Sequence, residues 1–205
     1  MNTLERGFKS WAERTSIAFR KELGVSIDAP LSPAQVAEYL GVEVWTPHQV
    51  PGITPELLNQ LLKIDPWGWS AAGVQIDGQG IVIYNPRHSR GRQVSDITHE
   101  LAHFILDHQP ARIILSADLD GMSMRSFNQK QEDEANCLAW TLLLPREALV
   151  RAKGRRLTLE QIAEQYGVTK SLVTYRVNAT GVEKQLRARS RTKPQPLCTL
   201  RPGLC

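Results

Sequence analysis

Three cysteines, Cys137, Cys198 and Cys205, are all that the 205-residue chain contains. So few and so scattered, they exclude a disulfide framework, and an odd number fits a reducing compartment. Long hydrophobic runs are missing too. The longest, such as Ile81-Val82-Ile83-Tyr84 and Leu142-Leu143-Leu144, fall far below the ~20 residues of a membrane span. Near the N-terminus, Glu5, Arg6, Lys9, Glu13 and Arg14 interrupt the apolar residues, so no secretory signal is expected there. These absences predict a cytoplasmic protein with no membrane partner. What is present, 41% hydrophobic residues with 14 Gly and 12 Pro, describes a globular chain able to bury a sizeable core.

The net charge of +4 hides an asymmetry. Residues 1–150 hold 13 basic and 18 acidic side chains, whereas 151–205 hold 12 basic and 3 acidic. A basic block of this kind is attracted to nucleic acid or an acidic partner, or serves as a solubilising extension.

Hydrophobic periodicity places the elements. Leu4, Phe8, Trp11, Ile17 and Leu23 outline an amphipathic first helix, and Ser32-Pro33 opens a short second one that stops at Gly41. Val42 to Trp45 reads as a strand, and Thr54 to Ile64 as a helix. Ala72–Ile76 and Gly80–Tyr84, split by Asp77-Gly78-Gln79, read as a hairpin. After a basic loop with Arg87, Arg90 and Arg92, apolar offsets of three and four predict a helix from about Ser95 to His108. An irregular polar stretch, about Ser116 to Asn128, leads to a helix over Lys130–Leu144, stopped by Pro145.

The Ser95–His108 helix contains His99-Glu100-Leu101-Ala102-His103. Histidines four apart project from one face, so both imidazoles can reach a single ion, and the intervening Glu100 stands where it can take a proton from water there. Two exposed histidines that share a helix face without purpose are the alternative. A catalytic zinc takes three protein ligands, so a third is required. The extended pattern with a further histidine would need Gly at 106 and His at 109, and the chain has Leu106 and Gln109. His108, five residues beyond His103, would not share the ligating face of a continuous helix. The next helix offers Glu132, Asp133 and Glu134. Asp133 lies opposite the buried stripe Ala135, Leu138, Ala139, Leu142. Glu132 is preferred, because Asn136 one turn on can brace its carboxylate and Ala139 leaves room for the first helix; Glu134 is the alternative. His88, Arg92 and Tyr84 precede the motif as possible oxyanion donors, and the strand Ile81–Tyr84 could pair with an extended substrate or be purely structural.

Thr158 to Val182 has the pattern of a helix-turn-helix, with Gly167 at the turn and Thr169 as the following cap. Thr169, Lys170, Ser171, Thr174 and Arg176 are then candidate groove or phosphate contacts, with Lys170 and Arg176 the cationic pair. Gln35–Val42 repeats the grammar of Gln161–Val168, which argues for a generic packing solution. From about Arg187 onward, with Pro194, Pro196 and Pro202, disorder is expected.

The His-Glu-x-x-His helix, the later Glu-x-Glu-Ala-Asn helix ending in Leu-Leu-Leu-Pro, and the strand running into Asn-Pro-Arg resemble the ImmA/IrrE family of zinc-dependent metallopeptidases. The likeness is firmest from Ile81 to Pro145 and weaker over Ala29–Val44 and Leu157–Val182; Gln93-Val94-Ser95-Asp96 departs from the family's usual entry to the motif. The resemblance implies zinc on His99, His103 and Glu132, Glu100 as base, and cleavage of a helix-turn-helix transcriptional repressor. It implies an α+β fold with a mostly helical zincin-like core over 1–150, including a small β-hairpin or sheet. A helix-turn-helix-like segment over 151–186 and a basic tail over 187–205 would follow. A reading of a different class is a helix-turn-helix DNA-binding regulator whose metal site is vestigial or structural.

Overall fold

The computed structural model describes residues 3–76, 78–108 and 128–191. Helix α1 (Phe8–Glu22) is followed by α2 (Pro33–Leu40), which has proline in its first turn and ends at Gly41, φ 67°. That left-handed residue turns the chain into strand β1 (Glu43–Trp45). The helix expected over Thr54–Ile64 is α3 (Pro55–Asn59), capped by the Thr54 side chain and continued as a π-helical turn over Gln60–Ile64. None of its residues is buried, so no packing imposes regular α-helical geometry.

The hairpin forms as read, with β2 (Ala71–Ile76) antiparallel to β3 (Gln79–Tyr84). Strand β1 pairs parallel with the other side of β3, placing Val44 opposite Val82, and the sheet order is β1-β3-β2. This corrects the idea that Ile81–Tyr84 could receive a substrate strand. Both of its edges are taken, and among the described residues the outer edges of the sheet belong to β1 and β2.

Helix α4 (Arg90–Ile105) packs across β2 and β3, α5 (Gln129–Leu143) lies along α4, and α1 covers α5. Ala12, Ala102, Ala135 and Ala139 are fully buried, and such small side chains let the helices approach closely. Leu101, Leu138 and Leu142 fill the space beside them, each stabilising the fold by about 2 kcal/mol. Helix α4 begins before the expected Ser95, taking Arg90 and Arg92 into its first turn, and it ends at Ile105 rather than His108.

The C-terminal part comprises α6 (Arg146–Gly154), α7 (Leu159–Tyr166), α8 (Lys170–Thr180) and α9 (Val182–Arg191). They share a second core that includes Leu144, Leu149, Ile162, Tyr166 and Val173. Position 150 lies inside α6, and α9 occupies the start of the region expected to be disordered. The remainder of that tail, and most of the Ser116–Asn128 stretch, lie outside the described residues. The α7–α8 turn rests on the first turn of α4, where a Cβ on Gly91 would stand 3.1 Å from the Val168 carbonyl carbon.

Two buried arginines clamp the end of α5. Arg20 of α1 donates through Nη2 to the carbonyls of Leu142 and Leu143, and through Nη1 to those of Ser26 and Ala29. From the other side, Arg176 of α8 donates to the Leu144 carbonyl at 3.0 Å and to Glu13 at 2.7 Å. Cations complement the negative end of a helix and satisfy carbonyls that have no partner within it. The fold is α+β and mostly helical, and among the described residues no helix is long and apolar enough to cross a membrane.

Candidate metal centre

Helices α4 and α5 bring His99, His103 and Glu132 together, each half-buried, with one ligand atom of each lying within 4.8 Å of the others. The two Nε2 atoms are 3.1 Å apart, and Glu132 reaches His99 at 3.2 Å and His103 at 3.7 Å. Ligands of a tetrahedral zinc, with bonds near 2.0–2.1 Å, stand about 3.3 Å from one another. The donor set is two imidazoles and a carboxylate at that spacing, and it fits such an ion. Burial, and then the neighbouring His99 and His108, push the His103 imidazolium down to about 4. At neutral pH its ring is therefore uncharged, as ligation requires.

Glu100 stands on the adjacent face of α4. Its Oε2 accepts a hydrogen bond from the Gly73 backbone N–H at 2.8 Å. That amide points away from β3, so the carboxylate lies against the open edge of β2. Glycine eases this approach: a Cβ at 73 would stand 3.1 Å from Oε2 and 3.3 Å from the Phe104 ring, and those side chains would have to give way.

His108 was excluded from the ligating face on the premise of a continuous helix, but the chain reverses before it. Asp107 adopts φ 52°, the His108 N–H bonds back to the His103 carbonyl at 3.0 Å, and that of Asp107 to Phe104 at 3.2 Å. This pair of bonds is a Schellman turn, with aspartate in the left-handed position usually held by glycine. It folds the His108 ring onto His103, with the two Nδ1 atoms 3.0 Å apart. The other nitrogen of His108 meets Glu134 at 3.3 Å. Glu134, the alternative ligand, is thus directed to His108 and is not part of the three-residue group. Asn136 is half-buried on α5, and among the described residues it makes no hydrogen bond to Glu132.

The suggested oxyanion donors are differently employed. His88 is buried, with Nδ1 3.1 Å from Asp96 and its ring stacked on Trp67. Arg92 meets the same Asp96 and donates to Ser70. Tyr84 lines an open hollow with Arg90 and Gln93. Among the nucleic-acid candidates, Thr169 caps α8, Thr174 donates to the Lys170 carbonyl and Lys170 pairs with Glu160. Arg176 is buried in the clamp described above, which corrects its reading as a groove contact. Its spacing of three and four from Val173 and Leu172 already placed it on the packed face.

Comparison with known proteins accords with this geometry. A protein described as a Mycobacterium tuberculosis transcriptional regulator is similar in structure, with a TM-score of 0.50 at 17% identity, over 86% of this chain and 48% of that one. The chain thus spans about half the length of that regulator, and the likeness concerns the fold. Comparison with curated proteins returns no match. The peptidase family profile described as IrrE N-terminal-like domain matches residues 62–178, which include α4, α5, α7 and most of α8. With more than half of its length so matched, the chain belongs to the family of IrrE N-terminal-like domains.

Proposed function

We propose that the chain is a zinc-dependent endopeptidase acting on a regulatory protein, a helix-turn-helix transcriptional repressor being the expected substrate. The observation that carries this reading is the convergence of His99, His103 and Glu132 from two helices, with Glu100 beside them. His99 and His103 would present Nε2 lone pairs and Glu132 a negative charge. The ion would supply Lewis acidity toward water and a peptide carbonyl. Glu100 would accept a proton from the attacking water and return it to the leaving amine, a role for which the Gly73 amide holds one carboxylate oxygen in place. An extended substrate would pair with the outer edge of β2 beside Gly73, whose own amide is taken by Glu100.

Membership of a peptidase family and the fold shared with a protein described as a transcriptional regulator support this reading. The DNA-binding alternative shares the likeness to a regulator but loses Arg176, which is buried, as a contact. The deciding experiment measures zinc per chain by elemental mass spectrometry for the parent, Glu132→Ala and Glu134→Ala. About one zinc in the parent, lost with Glu132→Ala only, is expected. No zinc in the parent after metal loading would overturn the assignment. Glu100→Gln should keep the zinc and abolish cleavage of a repressor substrate.

A further inference from the structure

The contacts that run from His103 through His108 to Glu134 are used by nothing described so far, yet their geometry is consistent from end to end. If Nε2 of His103 faces a metal, its hydrogen resides on Nδ1 and must be donated. The atom facing it is Nδ1 of His108, 3.0 Å away. That atom can accept only if the hydrogen of His108 sits on Nε2, and Nε2 in turn faces Oε2 of Glu134 at 3.3 Å. Each donor meets an acceptor, and the direction of the whole chain is fixed at its acidic end. His108 and Glu134 are nearly enclosed, their side chains 8% and 14% exposed, so neither nitrogen can readily turn to water instead. Lys130 stands 3.8 Å from the other oxygen of Glu134.

We propose that His108 and Glu134 are positioning residues of the metal centre, holding His103 in the tautomer and ring orientation that ligation needs. The proposal rests on the zinc reading above. A carboxylate commonly braces a metal-bound histidine directly; here an imidazole is interposed, delivered by the left-handed turn at Asp107. Glu132 supplies the ligand from α5 and Glu134, two residues on, reaches the histidine behind it. A single helix therefore addresses both nitrogens of His103, one through the ion and one through His108.

The test separates hydrogen bonding from packing. His108→Leu fills the space without an acceptor, whereas His108→Asn can place Oδ1 where Nδ1 stands. Zinc affinity of the full chain is measured by competition with a chromophoric chelator, and ligand geometry by the visible absorption of the cobalt-loaded protein. His108→Leu should weaken zinc binding about 10- to 100-fold and alter the cobalt spectrum, whereas His108→Asn should stay within about threefold of the parent. Glu134→Ala should also weaken binding, and should add little when combined with His108→Leu. Parental affinity in His108→Leu, or equal losses in the Leu and Asn variants, would overturn the proposal. If circular dichroism shows His108→Leu unfolded, Glu134→Ala decides, with parental affinity there being fatal. His99→Ala distinguishes failure of the underlying reading: if it binds zinc as the parent does, the metal lies elsewhere and both fall.

Discussion

The backbone N–H of Gly73 and Oε2 of Glu100 lie 2.8 Å apart, joining the middle of an edge strand to the carboxylate of the His-Glu-x-x-His helix. A side chain expected to move protons is thereby held by main chain, which does not rotate away as a side-chain partner would. The same amide lies on the edge of β2 that no described strand pairs with, and Glu100 takes up its hydrogen.

Gly73→Ala tests that arrangement. The added methyl would sit 3.1 Å from Oε2 and 3.3 Å from Phe104, displacing the carboxylate while leaving the three ligands in place. Peptidase turnover is expected to fall about 10- to 100-fold, with zinc content unchanged. Parental kcat in this variant, measured by product release from a cleaved substrate, would show that the Gly73 contact is dispensable.

Arg176→Ala strands the Leu144 carbonyl and, among the described residues, leaves the partly buried Glu13 only the Arg146 N–H as a partner. The expected loss is about 2–4 kcal/mol in urea unfolding. Glu13→Ala should cost less, since Arg176 keeps its carbonyl partner. The two losses should not add.

Glu160, in the first turn of α7, is drawn down to about 2, chiefly by its hydrogen bond with Lys170 at the start of α8. A carboxyl whose folded value is depressed stabilises the fold above its unfolded value and loses that contribution as pH falls toward the folded one. The melting temperature of the parent should therefore exceed that of Glu160→Gln at pH 7. The gap should close between about pH 4.5 and pH 2 and shrink in high salt. A gap that persists at pH 2 would argue against the ion pair as its source.

Cys137 of α5 is half-buried, and burial raises its thiol above the ordinary value. In a Cys198→Ser, Cys205→Ser background, its reaction with an aromatic disulfide at pH 8 should be slower than that of a free thiol by at least about tenfold, and should reach the free rate in denaturant. Equal rates in the folded and unfolded chain would refute this.

The helix of His99 and His103 was legible because two histidines and the apolar offsets around them share one period; the stripe of alanines and leucines left Glu132 and Glu134 equally placed, and the Asn136 contact by which Glu132 was preferred is not formed among the described residues. His108 was not legible. Its position depends on a left-handed residue that is aspartate, so no glycine marks the reversal. The central place of β3 was hidden for another reason: its parallel partner β1 lies far off in sequence, and local alternation says nothing of who pairs with whom. The two arginines carried a readable sign that their charge obscured. Arg20 continues the Ala12, Ser16 stripe at intervals of four, and Arg176 falls between Val173 and Val177, so periodicity placed both inward.

The arginine clamp also bears on how far the molecule can be trimmed. Residues 62–178 carry the family likeness, but Arg20, Glu13 and strand β1 precede them. A fragment cut to the matched span would leave the Leu142 and Leu143 carbonyls without their cation, Arg176 without its carboxylate, and β3 with a bare flank. The helix that carries Glu132 is anchored by residues beyond the recognisable segment, so a fragment cut to that segment should unfold more readily than the whole chain.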